Sequence, residues 1–210
     1  MKTPSLSEME FLVLDLETTG LYADQGDEII EIGALRVQGL EITDEFQCLV
    51  KPSKSIPEAS SAIHGIRDKD VKNEKSIREV LPSFYSFCGK STWVAQNARF
   101  DLSFLLRDFR ICGLPSIQNL VIDTIGISKM LFPYETSHNL DVMMARLGIS
   151  KTGSRHRSLD DCRYTALVLI EFIKLLKKQN LESLQDIQDS FVKLDTIIKK
   201  EKPKVRGLFG

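Results

Sequence analysis

Short apolar runs rich in β-prone residues dominate the first fifty positions. Residues 11–16 form one such run, which ends near Glu17, where Thr18, Thr19 and Gly20 indicate that a strand leaves its sheet. Residues 29–37 and 45–50 have the same character, and the short connection near Gly39 is typical of a hairpin. The pattern therefore predicts three consecutive strands.

Later in the chain the apolar positions follow a helical spacing. Helices are predicted over residues 77–87, 100–111, 139–147 and 158–178, with short strands at 92–95 and 120–122. Ser76 and Glu79 form a possible capping box, and Pro82 must either kink the following helix or begin a new one. Strands in a meander, followed by strands that alternate with helices, predict an α/β domain with a mixed five-stranded sheet.

The C-terminal residues differ from the rest in pattern and charge. Helix-like spacing continues at Leu181, Leu184 and Ile187, whereas the residues after Ile198 lack a periodic apolar face and are predicted to be mobile. We therefore divide the chain into a domain at residues 9–178 and a C-terminal helical segment with a basic tail at residues 179–210. Positions 193–210 hold six basic and two acidic residues, although the whole chain has a net charge of −1.

Composition excludes several classes of protein. With 210 residues, 42% hydrophobic and 27% charged, the chain can form one folded domain with an appendage. The mildly acidic body lacks the basic face of a typical nucleic-acid-binding protein, so a polyanionic substrate would require cations recruited locally. Four cysteines without a C-x-x-C pair argue against zinc and disulfides, and we expect reduced, mostly buried thiols. No secretory or membrane-spanning segment is visible, which predicts a cytoplasmic protein without membrane contact.

Four carboxylates are candidates for chemistry. Asp15 and Glu17 are two positions apart on a strand, so both point to one face at its carboxyl end. Asp101 lies among apolar neighbours on a predicted helix, where a carboxylate is costly unless it is paired or bound to metal. Asp161 follows Ser158 in a sequence that also fits a helix cap. Taken singly, each acid has a structural explanation.

Together these acids carry a resemblance. The sequences at 15–21 (DLETTGL), 97–101 (NARFD) and 156–161 (HRSLDD) resemble the three motifs of the DEDDh family of 3′-5′ exonucleases, and most of all its DNA polymerase III epsilon-type proofreading members. The sequences at 63–66 and 123–124 are also similar, so the resemblance covers residues 9–178. It implies a ribonuclease-H-like mixed sheet flanked by helices, two divalent metal ions and hydrolysis from a 3′ end.

The resemblance also implies roles for the acids. Asp15, Glu17 and Asp161 would hold the ion that binds the attacking water, Asp15 would reach a second ion, and Asp101 would ligate directly or through water. Oxygen ligands suit Mg²⁺ or Mn²⁺. His156 is the candidate general base, because histidine exchanges a proton near neutral pH. A lone histidine is otherwise more often structural, but the polar loop at 153–157 favours catalysis, and its Arg155 and Arg157 could hold phosphates.

Substrate contacts are implied in the same way. The segment Thr18, Thr19, Gly20 and Leu21 resembles the one that seats the terminal nucleotide, with Leu21 against the base, although Thr-Thr-Gly also makes an ordinary turn. The other candidate contacts are His64, Asn97 and Phe100, of which His64 and Phe100 could equally be core residues. Where the family commonly has histidine this chain has Gln96, which we expect to tune substrate contact.

Three functions remain open at this stage. The leading one is a 3′-5′ exonuclease on single-stranded or frayed DNA, either as a proofreading subunit or as a repair enzyme. The alternatives are an exoribonuclease similar to RNase T or oligoribonuclease, and a weakly active polymerase-recruiting module. Residues 193–210 could dock on a polymerase or sliding clamp through Leu208 and Phe209, could tether DNA through their basic charge, or could be a solvated terminus.

Overall fold

A computed structural model describes residues 4–151 and 156–198. Its five strands form one mixed sheet in the order β3-β2-β1-β4-β5. β2 is antiparallel to both β1 and β3, whereas β4 is parallel to β1 and to β5. The strands are β1 (Glu10–Thr18), β2 (Ile29–Gln38), β3 (Glu41–Leu49), β4 (Thr92–Ala95) and β5 (Val121–Asp123).

Helices cover both faces of this sheet. They are α1 (Glu58–His64), α2 (Asp68–Val71), α3 (Ile77–Cys88), α4 (Arg99–Ile111), α5 (Thr124–Leu131), α6 (Leu140–Leu147), α7 (Ser158–Lys178) and α8 (Leu194–Ile198). Short 3₁₀ segments lie at Leu6–Glu8, Ala23–Gln25 and Leu184–Ser190. Within the described ranges, none of the helices combines the length and apolar character that crossing a membrane requires.

The central strand β1 is buried on both faces. Phe11 and Val13 belong to the hydrophobic cluster that includes α5, α6 and α7. Leu12, Leu14 and Leu16 belong to the cluster on the other face, with α3 and α4. Because strand side chains alternate between faces, the odd-numbered residues that follow Val13 point toward α7.

The predicted sheet and its hairpin are confirmed. β2 and β3 are joined through Gly39 and Leu40, which have φ values of 61° and 65°. Two successive residues with positive φ give the tight turn that matches the twist of a hairpin. The last predicted helix also has the bounds observed for α7, and its apolar stretch packs into the core as expected.

The structure settles the alternative left open at Pro82 and contains helices that were not predicted. α3 is one continuous helix, so no new helix begins at Pro82, although the predicted capping box is present: Glu79 accepts hydrogen bonds from the Ser76 backbone and hydroxyl, at 2.9 and 2.6 Å. Helices α1 and α5 were not predicted. In α5, Gly126 approaches Ser190 so closely that a Cβ would lie 2.6 Å from its Cα, and glycine made the pattern look non-helical.

The segment after α7 packs on the domain. Leu181, Leu184 and Phe191 contact the cluster beneath α7, and the Val192 amide donates a 2.9 Å hydrogen bond to the Val121 carbonyl of β5. The helix-like spacing predicted there is realised as a 3₁₀ segment. The boundary after residue 178 stays a prediction, since packing is continuous across it. The predictions for residues 199–210, and for Arg155, lie outside the described residues.

All four cysteines are unpaired thiols. Cys88 and Cys162 are buried, whereas Cys48 and Cys112 are half-buried, so the prediction of mostly buried thiols holds for two of the four. None of them lies in the acidic cluster described below.

Candidate active site

Three of the predicted acids meet at the carboxyl end of β1. Carboxylate oxygens of Asp15, Glu17 and Asp161 all lie within 4.8 Å of one another. Asp15 and Glu17 share the face of β1 that α7 covers, as predicted, and Asp161 comes from the first turn of α7. Glu17 and Asp161 are only 9% and 7% exposed.

A glycine in β2 permits this arrangement. A Cβ on Gly33 would lie 2.5 Å from the carbonyl carbon of Ser158 and 2.7 Å from the amide nitrogen of Leu159. The start of α7 therefore rests directly on the β2 backbone, which any larger residue would prevent. Since Gly33 pairs with Asp15 across the strands, this close approach brings Asp161 over the end of β1.

The electrostatics of the cluster favour a bound cation. Burial, followed by the negative charges of Asp161, Glu31 and Asp101, raises the pKa of Glu17 to about 8. Carboxylates gathered in a buried position repel one another unless positive charge lies between them. An all-oxygen donor set of this kind fits a hard divalent ion.

Asp101 approaches from the opposite face of the sheet. It is 2% exposed on α4, and its Oδ1 accepts a 3.1 Å hydrogen bond from the Leu16 amide. Burial raises its pKa to about 8. Asp101 is thus adjacent to the acids of β1 but is not a member of the group of three.

His156 lies immediately before α7 with an exposed side chain and a φ of 62°. Its backbone amide donates a 3.3 Å hydrogen bond to Oδ2 of Asp161. This contact keeps the backbone of His156 beside the acidic cluster while its imidazole remains open to solvent.

Arg157 pairs with a carboxylate that sequence reasoning did not single out. It was predicted to be able to hold phosphate, but its Nε and a terminal nitrogen donate to Glu31 at 3.2 and 2.7 Å. Glu31 is fully buried, and hydrogen bonds from Arg157 and from the Ser158 amide lower its pKa against the opposing effect of burial. A signal existed in the sequence, since Glu31 interrupts an otherwise apolar strand.

The segment predicted to seat a nucleotide is a loop with an ordered interior. Thr18 donates its hydroxyl hydrogen to the Gly20 carbonyl at 2.5 Å, and the Thr19 hydroxyl accepts from the Glu28 amide at 2.9 Å. Both hydroxyls are therefore used within the loop. Leu21, at its tip, is 67% exposed.

His64 is buried at the end of α1. Its Nδ1 accepts a 3.1 Å hydrogen bond from the Ile66 amide, so the neutral ring carries its proton on Nε2. Burial lowers its pKa. Within the described parts of the chain, Nε2 has no partner that meets hydrogen-bond geometry, which leaves one buried donor available.

The two remaining candidate contacts, Asn97 and Phe100, precede Asp101 in the sequence. Asn97 is exposed and has a φ of 59°. Its backbone N–H donates a 3.1 Å hydrogen bond to Oδ1 of Asp123. Phe100 is half-buried and packs on Phe104, with 5.2 Å between ring centroids. Neither belongs to the acidic cluster.

Gln96 has a different environment from the one expected. Its Nε2 donates to the His138 carbonyl at 3.0 Å, and its Oε1 accepts from the Thr124 hydroxyl at 2.5 Å. The side chain thereby joins the end of β4 to α5 and to the loop before α6. Its amide serves this packing, and the expectation that Gln96 tunes substrate contact stays a prediction.

A comparison with models of protein families identifies the family of this chain. The family model described as Exonuclease (RNase T) matches residues 12–169, which is most of the chain and includes all four acids and His156. The chain therefore belongs to this exonuclease family. The predicted fold and the predicted membership of an exonuclease family are confirmed, and the chain contains an exonuclease domain.

Sequence relatives are much longer proteins. The PolC-type DNA polymerase III of Thermotoga maritima is 42% identical over 185 residues, which cover 88% of this chain but 13% of that protein. An epsilon-like DNA polymerase III subunit protein of Rhodobacter capsulatus is 39% identical over 183 residues, covering 86% of this chain and 26% of that protein. The chain thus spans 13% and 26% of the lengths of these two relatives.

Solved structures share the fold. Exonuclease X in complex with 5′ overhanging duplex DNA is 27% identical and covers 86% of this chain and 99% of its own, with a TM-score of 0.67. The nuclease domain of 3′hExo, a DEDDh family member bound to rAMP, is 21% identical with a TM-score of 0.71, covering 80% of this chain and 92% of its own. The second likeness concerns the fold alone.

Proposed function

We propose that this domain removes nucleotides one at a time from the 3′ end of single-stranded or frayed DNA. The observation that carries this proposal is the cluster of Asp15, Glu17 and Asp161, which gathers three carboxylates within 4.8 Å at the edge of the sheet. Such a cluster in an exonuclease family member is suited to hydrolysis assisted by divalent metal.

Asp15, Glu17 and Asp161 would hold one ion, and Asp15 and Asp101 would reach a second. Mg²⁺ or Mn²⁺ bound there would neutralise charge on the phosphate and favour deprotonation of the attacking water. The raised pKa of Glu17 supports this assignment, because a cation supplies the missing positive charge. Asp101 already has one oxygen engaged by the Leu16 amide, so its other oxygen is the one available for ligation.

His156 is the proposed general base. Its imidazole is exposed, and its backbone amide is tied to Asp161 at 3.3 Å, so the ring can approach a water held at the acids. It would accept the proton of the attacking water, while cations held by the acids would orient the phosphate for in-line attack.

The loop after β1 and the end of α1 would receive the terminal nucleotide. The exposed Leu21 side chain offers an apolar surface for the base, and the backbone of Thr18, Thr19 and Gly20 would approach the sugar. The unpartnered Nε2 of buried His64 can donate to the nucleotide. Asn97 and Phe100, at the start of α4, would line the other side.

The relatives favour DNA and a role in proofreading. The two sequence relatives named above are DNA polymerase III proteins, whereas the likeness to 3′hExo, which was bound to rAMP, extends to fold only. We therefore infer that the whole protein works with a replicative polymerase, in the cytoplasm, and that residues 193–210 contribute to docking. RNA as substrate is an outcome of the test below.

The test is degradation of 5′-labelled DNA and RNA oligonucleotides of equal sequence with Mg²⁺, Mn²⁺ or EDTA. We expect a ladder of products, because the DNA is shortened from its 3′ end. DNA should be degraded faster than RNA, and EDTA should prevent cleavage of both. Faster loss of RNA would establish the exoribonuclease. A 5′-labelled mononucleotide as first product would indicate the opposite polarity.

A comparison of two variants shows whether the cleavage comes from the proposed metal site or from a contaminating nuclease. The Asp161→Asn variant removes a charge from the cluster, whereas Asp141→Asn removes an exposed acid of α6 that pairs with Lys151. Only the first should abolish cleavage. Equal activity in both variants would contradict the proposed site.

A further inference from the structure

An ion pair between the buried Glu31 and the partly exposed Arg157 joins the strand next to β1 to the start of α7. Glu31 lies directly across from Glu17 in the antiparallel pairing of β1 and β2. Its carboxylate accepts hydrogen bonds on both oxygens. Oε1 accepts from Arg157 and Gln47 at 2.7 and 3.0 Å, and Oε2 accepts from the Arg157 Nε and the Ser158 amide at 3.2 and 3.0 Å.

The position of this pair matters because two proposed active-site residues flank it. His156 is the residue before Arg157, and Asp161 is in the helical turn that Ser158 begins. The amide of Asp161 donates to the Arg157 carbonyl at 3.0 Å, so the backbone of Arg157 is itself part of that turn. A displacement of Arg157 would therefore move both His156 and Asp161 relative to β1.

We propose that Glu31 and Arg157 form a positioning clamp that sets the distance from Asp161 and His156 to the carboxylates of β1. The inference rests on the metal site proposed above. Neither clamp residue is a metal ligand in this proposal. The clamp acts by fixing the backbone at the start of α7, on the strand where Gly33 allows direct contact.

Its construction fits positioning better than simple stability. Because desolvation of a charged group offsets much of its attraction to its partner, stability alone gives little reason to bury Glu31 beside the partly exposed Arg157. A planar guanidinium that makes two hydrogen bonds to one carboxylate fixes direction as well as distance. Outer partners of this kind affect metal affinity by orienting the ligands.

The Glu31→Gln variant is the first test. All four bonds to Glu31 come from N–H donors, two at each oxygen, so either orientation of a glutamine amide places its NH₂ group against donors. Arg157→Ala removes the other half, and Arg157→Lys keeps the charge without the two-pronged geometry.

The matched control is a second ion pair on the same helix. Arg163 of α7 donates to Glu45 of β3 at 2.9 Å, with side chains 43% and 57% exposed. Arg163→Ala breaks this link between α7 and the sheet, together with a 3.1 Å bond to Asp160, but it removes none of the hydrogen bonds of Glu31 or Arg157. We expect it to leave metal binding unchanged.

Two measurements on the full chain decide the matter: Mn²⁺ binding followed by electron paramagnetic resonance, and kcat and KM on a 5′-labelled DNA oligonucleotide. For Glu31→Gln and Arg157→Ala we expect the half-saturating Mn²⁺ concentration to rise by about 10- to 100-fold. We expect kcat to fall with little change in KM, and the double variant to be no worse than the more severe single. Arg157→Lys should behave like Arg157→Ala.

Three outcomes would overturn the clamp. Wild-type Mn²⁺ affinity in both single variants would show that Asp161 does not depend on it. A raised KM confined to the Arg157 variants would show that the guanidinium binds phosphate. Lower melting temperatures with unchanged kcat would leave only a structural role. If the metal site itself were wrong, wild type and Asp161→Asn would bind Mn²⁺ equally, which separates the two failures.

Discussion

Oδ1 of Asp101 accepts a hydrogen bond from the backbone amide of Leu16, the residue between Asp15 and Glu17. The carboxylate on α4 therefore fixes the strand that carries the two other acids, in addition to any role as a ligand. Substitutions at Asp101 have to separate these two effects.

We predict that Asp101→Asn and Asp101→Ala are both inactive but differ in stability. Asparagine keeps an acceptor for the Leu16 amide and removes a buried charge. Alanine leaves that amide without a partner, which costs about 1–3 kcal/mol. Thermal melts without metal, together with oligonucleotide cleavage, measure both effects. Full activity in the Asn variant would remove Asp101 from the metal site.

A second prediction concerns pH. Because the pKa of Glu17 is raised to about 8, the metal-free protein should lose stability as pH rises from about 4.5 to 8, since ionisation of Glu17 is easier in the unfolded chain. Buried Asp101, whose pKa is also raised, contributes a loss common to both proteins, and the Glu17→Gln variant lacks only the part that comes from Glu17. Its free energy of unfolding relative to wild type should rise with pH, by at most about 1.4 kcal/mol per pH unit.

Chemical denaturation at several pH values, with and without Mg²⁺, gives this difference. The ion should remove most of the pH dependence in wild type and little in the variant. A relative stability that is flat from pH 5 to 8 would contradict the proposed electrostatics.

His156→Ala should lower kcat by about 10² to 10⁴, the usual contribution of a general base. Binding of a phosphorothioate oligonucleotide in the presence of metal should be retained, because the acids are intact. A variant within about tenfold of wild type, or one with the wild-type dependence of kcat on pH, would exclude His156 as the base.

Gln96→Ala should affect stability more than catalysis. The substitution leaves the His138 carbonyl and the Thr124 hydroxyl without their present partner, at a cost of about 1–3 kcal/mol. Because these contacts lie within the protein, kcat should change little. Thr124→Val is the matched variant, and the double substitution should cost less than the sum. A large rise in KM would instead restore Gln96 as a substrate contact.

The packing of α8 decides where a C-terminal truncation can begin. Ile197 is 6% exposed within the α4 cluster, so truncation has to follow residue 198. We expect such a chain to cleave oligonucleotides normally and to lose association with a polymerase or sliding clamp. If the tail instead tethers DNA, the plot of log binding constant against log salt concentration should have a slope that is shallower by up to about 3.6 for the truncated chain. Retained association would contradict docking.

Local patterns predicted the elements that have strong local signals. β1 and α7 were found because a β-prone run and a long helical period are visible within single segments. α5 was missed because Gly126 lowers the helix propensity of the segment. Glycine is needed there for close contact with Ser190, which is far away in the sequence.

The same distinction applies to the site. Asp15 and Glu17 were placed on one face by their spacing, and their meeting with Asp161 came from the family resemblance. The partner of Arg157 could not be inferred, because Glu31 lies more than a hundred positions earlier and no spacing rule connects them. Likewise, Gln96 was interpreted by comparison with the family, while its contacts depend on how the loop before α6 folds back.

The contact of α7 with Gly33 also affects when the cluster can form during synthesis of the chain. The cluster combines residues from the first strand with one from the last long helix, so a ribosome-bound chain that has not yet emerged through α7 contains no complete cluster. Nuclease activity from this cluster therefore requires that the domain has folded from β1 through the start of α7. An incompletely made copy cannot degrade nucleic acid in its vicinity by this site.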